Sequence, residues 1–166
     1  MYGQASLQQK AVVLKRMIEL NHLTPKAVDD DFSAAMFKAI INQADRRRLF
    51  FTETEFKSLQ AYSNRLDDEL NKKEWGFYDL LSQVYKKALT RADSIINKLT
   101  QKPFDFNSSE TVTNNRKDEF NFAADISSLS SRWLRYLKYL ALDQLFDMAV
   151  EDSTGKTSLK TVIGIA

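Results

Sequence analysis

Residues 76–99 read GFYDLLSQVYKKALTRADSIINKL, and this stretch is the clearest indication of the fold class. Its apolar residues recur mostly at steps of three and four, which is the spacing of one face of an amphipathic helix. These residues are Phe77, Leu80, Leu81, Val84, Ala88, Ala92, Ile95 and Leu99. Gly76 marks the break before the helix, and Pro103 stops it just after Lys98 and Lys102, whose charges suit the negative end of the helix dipole. The stretch therefore predicts a long helix with one buried face.

Two helices are predicted before residue 46. The first covers about residues 4–21, and Thr24-Pro25 after it has the character of an N-cap and a first helical residue of a short turn or new helix. The next covers about residues 29–45, with Asp29–Asp31 in its first turn, where the helix dipole favours negative charge. The predicted apolar face of the first helix consists of Leu7, Ala11, Leu14 and Ile18.

The remaining segments predict two further helices and a loop. A capping box at Thr52-Glu53-Thr54-Glu55 opens a helix. Its apolar side consists of Phe56, Leu59, Tyr62, Leu66 and Leu70. Residues 103–116 are rich in Asn and Ser and predict a loop, and the last helix covers about residues 125–151. The apolar face of that helix is wide enough to predict burial on two sides. It consists of Ile126, Leu129, Trp133, Leu137, Leu140, Leu145 and Met148, widened by Leu134, Leu142 and Phe146.

These segments predict an all-α fold, either a multi-helix bundle or an irregular array of about five helices. The apolar faces must pack together, because a single amphipathic helix is not stable alone. The low content of 4 Gly and 2 Pro agrees, since all-β folds use more of both in their turns. We assign residues 1–152 to one helical domain and residues 153–166 to a tail or the start of a linker to a downstream domain.

Charge and composition exclude several classes of function. The 24 Lys and Arg against 22 Asp and Glu leave a net charge of +2, which predicts no general affinity for nucleic acid or anionic membranes. The absence of Cys excludes disulfides and Cys-ligated metals and leaves the compartment open. No apolar run reaches the ~18 residues of a membrane span. Residues 1–20 lack the core of a signal peptide, so the protein is either cytosolic or its sequence begins after a removed signal.

Metal sites and histidine catalysis find no support in the residue pattern. His22 is the single histidine, so it cannot build a His-rich metal site, and no serine partner for it is evident in the sequence. The acidic run Asp29–Asp31 lacks the alternate spacing and the Gly of a calcium loop, and we interpret it as a solvated helix start. No metal or other cofactor is therefore expected.

Two motifs in the tail resemble catalytic or phosphate-binding patterns without completing them. Ser153 and Lys156 fit S-x-x-K, but penicillin-binding enzymes place that serine at a helix start and need a K-T-G sequence, whereas this chain has Lys156-Thr157-Ser158. Gly155-Lys156-Thr157 is the end of a P-loop pattern, but Val150 stands where that loop needs its first glycine. We therefore assign no catalytic, cofactor-binding or metal-binding residue.

The basic and aromatic groups each have a structural interpretation. Arg46–Arg48 is too short a run for nucleic-acid binding, and it predicts a solvated helix end whose arginines bond to terminal carbonyls. The aromatic groups can form the core or can leave some rings exposed as a docking surface, and the sequence does not separate the two. These groups are Phe50-Phe51, Trp75-Phe77-Tyr78, Phe104-Phe106 and Trp133-Tyr136-Tyr139.

Several short segments, taken together, also follow a known order. They are Ser33-Ala34-Ala35-Met36-Phe37, Asp45 to Phe51, Glu53 to Phe56, Phe77-Tyr78-Asp79-Leu80, Arg91, Phe104-Asp105-Phe106 with Glu110, and Trp133 to Lys138. Over about residues 8–150 this order resembles the N-terminal helical region of bacterial tail-specific proteases, also called carboxy-terminal processing peptidases. In that family a Leu-Asp step ends a helix before an aromatic pair. This chain departs from the pattern at Ala44-Asp45 and at Arg46–Arg48, which replaces a Pro/Ser-type turn.

The resemblance implies a function that the residues alone do not. Members of the family are secreted or periplasmic serine proteases with a Ser/Lys dyad, a PDZ domain and flanking helical domains, and they cut proteins processively from apolar C-termini. The dyad and the PDZ domain lie downstream of the matched region, so no catalytic residue carries over to this chain.

The resemblance therefore implies a non-catalytic accessory domain in the periplasm. It would enclose the protease and PDZ core, or dock an adaptor, a sister subunit or an unfolded protein substrate. The alternative is a stand-alone helical protein-interaction scaffold. A small regulatory nucleic-acid binder is the poorest hypothesis, because the charge is balanced.

Overall fold

The computed structural model describes residues 2–21, 27–72, 74–107 and 121–151. In these residues the chain forms six helices, and its one β-type pairing is an isolated bridge between Thr52 and Ala123. The all-α prediction is confirmed. The helices are α1 (Tyr2–Asn21), α2 (Asp30–Ala44), α3 (Glu53–Gln60), α4 (Leu66–Lys72), α5 (Gly76–Leu99) and α6 (Ile126–Glu151). No described helix is long and apolar enough to cross a lipid bilayer.

Some predicted features lie outside the described residues. His22 and Thr24-Pro25 fall in one undescribed stretch, and Glu110 falls in another. The part of the predicted loop that is described, residues 103–107, has no regular secondary structure. The tail motifs around Ser153 and Lys156 also lie beyond the described residues.

The third predicted helix is wrong in its extent, because the segment forms two short helices. After α3 the backbone N–H groups of Tyr62, Ser63 and Arg65 each bond to the carbonyl three residues earlier, with N···O distances of 3.0 Å. Such bonds tighten the chain into a turn and end the α-helical register. The turn brings the start of α4 to α2, where the Ser33 hydroxyl donates to Asp67 Oδ1 at 2.6 Å and accepts from the Asp67 N–H at 2.9 Å.

Side chains cap α2, α3 and α5, and the cap of α3 is the predicted one. The capping box at Thr52 and Glu55 is confirmed, and Asp29 caps α2 by accepting from the Phe32 N–H at 3.0 Å. The start of α5 takes its cap from α4, because both Glu69 carboxylate oxygens lie 3.1 Å from the Phe77 nitrogen. Gly76 permits this approach, since a Cβ at that position would stand 3.0 Å from Glu69 Oε1.

Two clusters of buried residues form the core, and the chain between α2 and α3 joins them. The first cluster fills the space among α2, α3, α4 and α5, and consists of Phe37, Ile41, Phe51, Leu59, Leu66, Phe77, Val84, Ala88 and Phe122. The second joins the C-terminal half of α5 to α6, and consists of Leu49, Ala92, Ile95, Ala123, Leu129 and Trp133. Phe50 packs against both clusters. Its ring meets Trp133 edge-on at 5.7 Å and Tyr85 at 6.0 Å between centroids.

The prediction that α6 is buried on two sides is wrong for its C-terminal half. Leu129 and Trp133 are buried, but Leu140, Leu142 and Phe146 are 41%, 38% and 56% exposed. The reason is that, among the described side chains, the second cluster reaches no farther along α6 than Leu137. Leu140, Leu142 and Phe146 have the predicted helical spacing, but no described part of the core packs against them.

The predicted packing of α1 also differs from the structure. Leu14, on its predicted buried face, is 59% exposed. Val13, Met17 and Leu20 are exposed to a similar degree. Among the described side chains, α1 contributes none to either cluster, and a hydrogen bond of 2.8 Å from Lys15 Nζ to Asn71 Oδ1 links it to α4. The helix is therefore as predicted, whereas Leu14 is exposed and does not pack into the core as the predicted face requires. The side chains of Leu7 and Ile18 on that face lie outside the described ones.

We expect Leu59→Ala to lower the free energy of unfolding by about 2–5 kcal/mol, because it leaves a cavity in the first cluster. Leu59 is fully buried in α3. The matched control is Leu89→Ala on α5, where the side chain is 43% exposed and the expected change is about 0.5 kcal/mol. Urea unfolding followed by circular dichroism measures both. Equal losses for the two variants would contradict this assignment of the core.

Candidate functional site

Asp45 organises the connection between α2 and α3, residues 45–52, which we name the 45–52 turn. Its carboxylate is buried and accepts three backbone N–H bonds. Oδ1 lies 2.8 Å from the Leu49 nitrogen, and Oδ2 lies 3.1 Å and 2.9 Å from the Phe50 and Phe51 nitrogens. Successive N–H groups directed at one anion form a nest, which stabilises the negative charge. The aromatic pair therefore enters the core because the chain wraps around this carboxylate.

Arg48 lies inside the turn, which corrects the prediction of a wholly solvated arginine run. Its φ of 54° is in the left-handed region, and its side chain is only 6% exposed. Nη1 donates to the Asp45 carbonyl, Nη2 donates to Asn42 Oδ1 at 2.7 Å, and the guanidinium stands 4.5 Å over the Phe122 ring. The predicted bond to a terminal carbonyl is therefore present. Arg46 and Arg47 are exposed, as predicted.

Glu55 and Arg91 tie α3 and α5 to the turn. Arg91 donates from Nη1 and Nη2 to the two Glu55 oxygens, both at 2.8 Å, and Nη2 also donates to the Phe50 carbonyl at 2.6 Å. Glu55 accepts from the Thr52 N–H at 2.9 Å as part of the capping box. Burial raises the pKa of Glu55, but hydrogen bonds from Arg91 and Thr52 lower it by more, and the net pKa lies below the ordinary value of 4.5. A two-pronged pair of this kind fixes geometry as well as charge.

The first turns of α6 attach to the same segment from the other side. Trp133 is buried, and its Nε1 donates to the Leu49 carbonyl at 2.7 Å. Arg132 Nη1 donates to the Asn121 carbonyl at 2.7 Å. Burial and the neighbouring charge of Arg135 lower the pKa of the Arg132 guanidinium, while the charge of Asp45 raises it. Residues from α3, α5 and α6 thus all bond to one short connection.

This buried polar network performs no evident chemistry of its own. Its acceptors and donors are satisfied mainly within the domain, although Nε of Arg91 is buried without a partner among the described residues. In the part of the chain that the structure describes, no group of His, Asp and Glu side chains could hold a metal ion. A shallow depression of about 450 Å³ on α5 is lined by Lys86, Lys87, Thr90, Arg91 and Ser94. The hydroxyls of Thr90 and Ser94 donate to the Lys86 and Thr90 carbonyls of the same helix.

The sequence pattern contains Asp45, Glu55, Arg91 and Trp133 in four separate segments. It does not show that these side chains bond to one connection. One signal was available: Arg91 borders the apolar face of α5, next to the buried Ala88 and Ala92. A charge at the margin of a buried face needs a partner. The partner cannot be chosen from the sequence, because it lies on another helix.

The aromatic groups divide between the two interpretations left open by the sequence. Phe51, Phe77 and Trp133 belong to the core, whereas Tyr78 and Tyr139 are 40% and 41% exposed. Phe104 and Phe106 meet each other edge-on, with centroids 6.3 Å apart. A series of ring contacts leads from the core to the surface of α6. Trp133 meets Tyr136 at 6.1 Å, and Tyr136 stacks on Tyr139 at 6.5 Å.

Comparison with known proteins gives one match. The family model described as the tail specific protease N-terminal domain matches residues 14–163. The matched range contains the 45–52 turn, the Glu55–Arg91 pair and the whole of α6. No curated protein and no solved structure matches the chain significantly.

Glu55 should make the stability of the domain depend on pH in acid. Because its pKa is lower in the folded chain than the ordinary value, its contribution is present above about pH 4.5 and is lost as the pH falls through the folded pKa. Glu55→Gln should therefore be less stable than wild type at neutral pH, and the difference should shrink in acid. Urea midpoints at a series of pH values measure this difference.

The matched control for this prediction is Glu53→Gln, which removes an exposed carboxylate from the same helix turn. This variant should keep the acid-dependent slope of the wild type. Wild type and Glu55→Gln losing stability in parallel as the pH falls would show that the Glu55–Arg91 pair is not ionised and bonded as described.

Proposed function

Since this chain belongs to the tail-specific protease N-terminal domain family, we propose that it is the non-catalytic N-terminal helical domain of a periplasmic C-terminal processing protease. The Ser/Lys dyad and the PDZ domain would lie downstream in the same protein. Residues 1–152 would form the domain, and residues 153–166 would lead toward the rest of the protease. None of its own residues would serve as a catalytic, cofactor-binding or metal-binding group.

One observation carries the non-catalytic role. The charged side chains of Asp45, which is buried, and of Glu55 and Arg91, which are partly buried, bond to backbone and to one another, so the network serves the fold. An enzyme site needs polar groups directed at a space that a substrate can enter. The domain instead has a packed interior and an exposed stretch of α6, from Tyr139 to Phe146, on which apolar residues remain open. This arrangement suits a domain that works by contact with other parts of a protein.

The contact we propose is with the protease and PDZ core of the same polypeptide, which the domain would help to enclose. Domains of one chain meet at a high effective concentration, so a modest and partly polar interface is enough to hold them. An adaptor, a sister subunit or an unfolded substrate would dock on the enclosure so formed.

The second candidate is a stand-alone helical scaffold that binds another protein. The exposed apolar residues on α1 and α6 favour it, because contiguous apolar surface marks sites of interaction. The genomic reading frame separates the two candidates. A frame that continues past Ala166 into a Gly-rich PDZ-like stretch supports the protease domain, and a stop codon there supports the scaffold.

We expect the purified chain to leave an unfolded protein with an apolar C-terminus intact, while the protein expressed from the full reading frame cleaves it. The measurement is the appearance of fragments over time by mass spectrometry. Ser153→Ala is the matched control, since Ser153 and Lys156 form the chain's S-x-x-K pattern. Cleavage by the chain that this substitution abolishes would contradict the non-catalytic role.

A further inference from the structure

One exposed face of α6 combines a cation with apolar side chains, and Arg47 of the 45–52 turn adds a second cation beside it. On α6, one face is formed by Arg135, Tyr139, Leu142 and Phe146, which follow one another at steps of four, three and four. Tyr139, Leu142 and Phe146 are 41%, 38% and 56% exposed. We name as the α6 surface the set Arg47, Arg135, Tyr139, Leu142 and Phe146.

The internal contacts of the domain hold the two parts of the α6 surface together. The guanidinium of Arg47 stands 4.8 Å from the centroid of the Tyr136 ring, and Tyr136 stacks on Tyr139. The bond from Trp133 to the Leu49 carbonyl fixes the turn against the helix below that point. The surface is therefore preorganised, with its cations at one end and its apolar side chains at the other.

Arg47 and Arg135 make one end of this surface positively charged. Among the described residues, no carboxylate forms an ion pair with Arg47 or Arg135. Asp143 is the acidic residue of α6 nearest to this face in helical position, and it leaves the surface with a net positive charge. Placing cations next to one another is unfavourable, and carboxylates from a binding partner would relieve that cost. Arg, Tyr and Phe beside each other are also typical of the centre of protein interfaces.

We propose that the α6 surface binds a segment of the protease's own downstream domains in which carboxylates stand next to apolar side chains. The proposal rests on the function proposed above and adds the location and chemistry of the contact. Two features favour an occupant in the same chain. The α6 helix continues to Glu151, past its last described core contact at Leu137, so a segment that follows α6 in the chain would start near this surface. A tethered segment also needs few contacts to dock.

The test compares the 166-residue chain with the intact protease expressed from the full reading frame. Hydroxyl-radical labelling followed by mass spectrometry measures the accessibility of Tyr139, Leu142 and Phe146. We expect a several-fold loss of labelling at these three residues in the intact protease. Tyr78 and Leu89 on α5, which are 40% and 43% exposed, serve as internal references and should label equally in both proteins.

Charge reversal tests the chemistry of the partner. In the intact protease, Arg47→Glu with Arg135→Glu should restore labelling of Tyr139 and Phe146 to the level of the isolated chain. Lys86→Glu with Lys87→Glu, an equal charge change on α5, should leave the protection in place. Raising the salt concentration should weaken protection in the wild type, because ion pairs at an exposed rim are screened.

Three results would overturn the proposal. Equal labelling of the α6 surface in the chain and in the intact protease would show that nothing covers it. Protection that survives reversal of Arg47 and Arg135 would show that carboxylates do not recognise it. Protection that grows with the concentration of the chain alone would identify a second copy as the occupant. Each leaves the proposed function standing if the intact protease cleaves substrate; a reading frame that ends at Ala166 would overturn both.

Discussion

The buried carboxylate of Asp45 holds the 45–52 turn in shape, and α3, α5 and α6 all bond to that turn. Three N–H groups, those of Leu49, Phe50 and Phe51, converge on the carboxylate and give the 45–52 turn its shape. The same turn presents the Phe50 carbonyl, which accepts a hydrogen bond from Arg91. Since an unsatisfied buried charge is costly, the turn can be formed only with these bonds in place, and the packing of the two clusters follows from it.

The residues that resemble the tail-specific protease family are also residues whose hydrogen bonds hold this domain together. The residues that carry the resemblance include Ser33, Asp45, Glu55, Arg91 and Trp133, and each of them makes a hydrogen bond that joins one structural element to another. None of these bonds leads to an open site. The pattern therefore describes how the domain is held together, which agrees with a contact role.

The sequence predicts what depends on local chemistry. The long helix of residues 76–99 and the capping box at Thr52 follow from spacing and from side chains that bond to nearby N–H groups. The break between α3 and α4 was missed, because Leu59 and Leu66 have a spacing that also fits one continuous helix. The burial of Arg48 and the joining of Glu55 to Arg91 depend on distant elements. The exposure of Phe146 was missed for a similar reason: periodicity defines a face, and only tertiary structure shows whether anything covers it.

A double-mutant cycle between Asp45→Asn and Trp133→Phe tests the central claim, that one turn couples the helices on either side of it. The first change removes an acceptor from beneath the turn, and the second removes the indole N–H that bonds to the Leu49 carbonyl. Urea unfolding of the four proteins gives the coupling energy. We predict a coupling of about 0.5–3 kcal/mol, because both side chains act through the same backbone. Additive losses, within about 0.3 kcal/mol, would show that the two contacts are independent and would contradict this account.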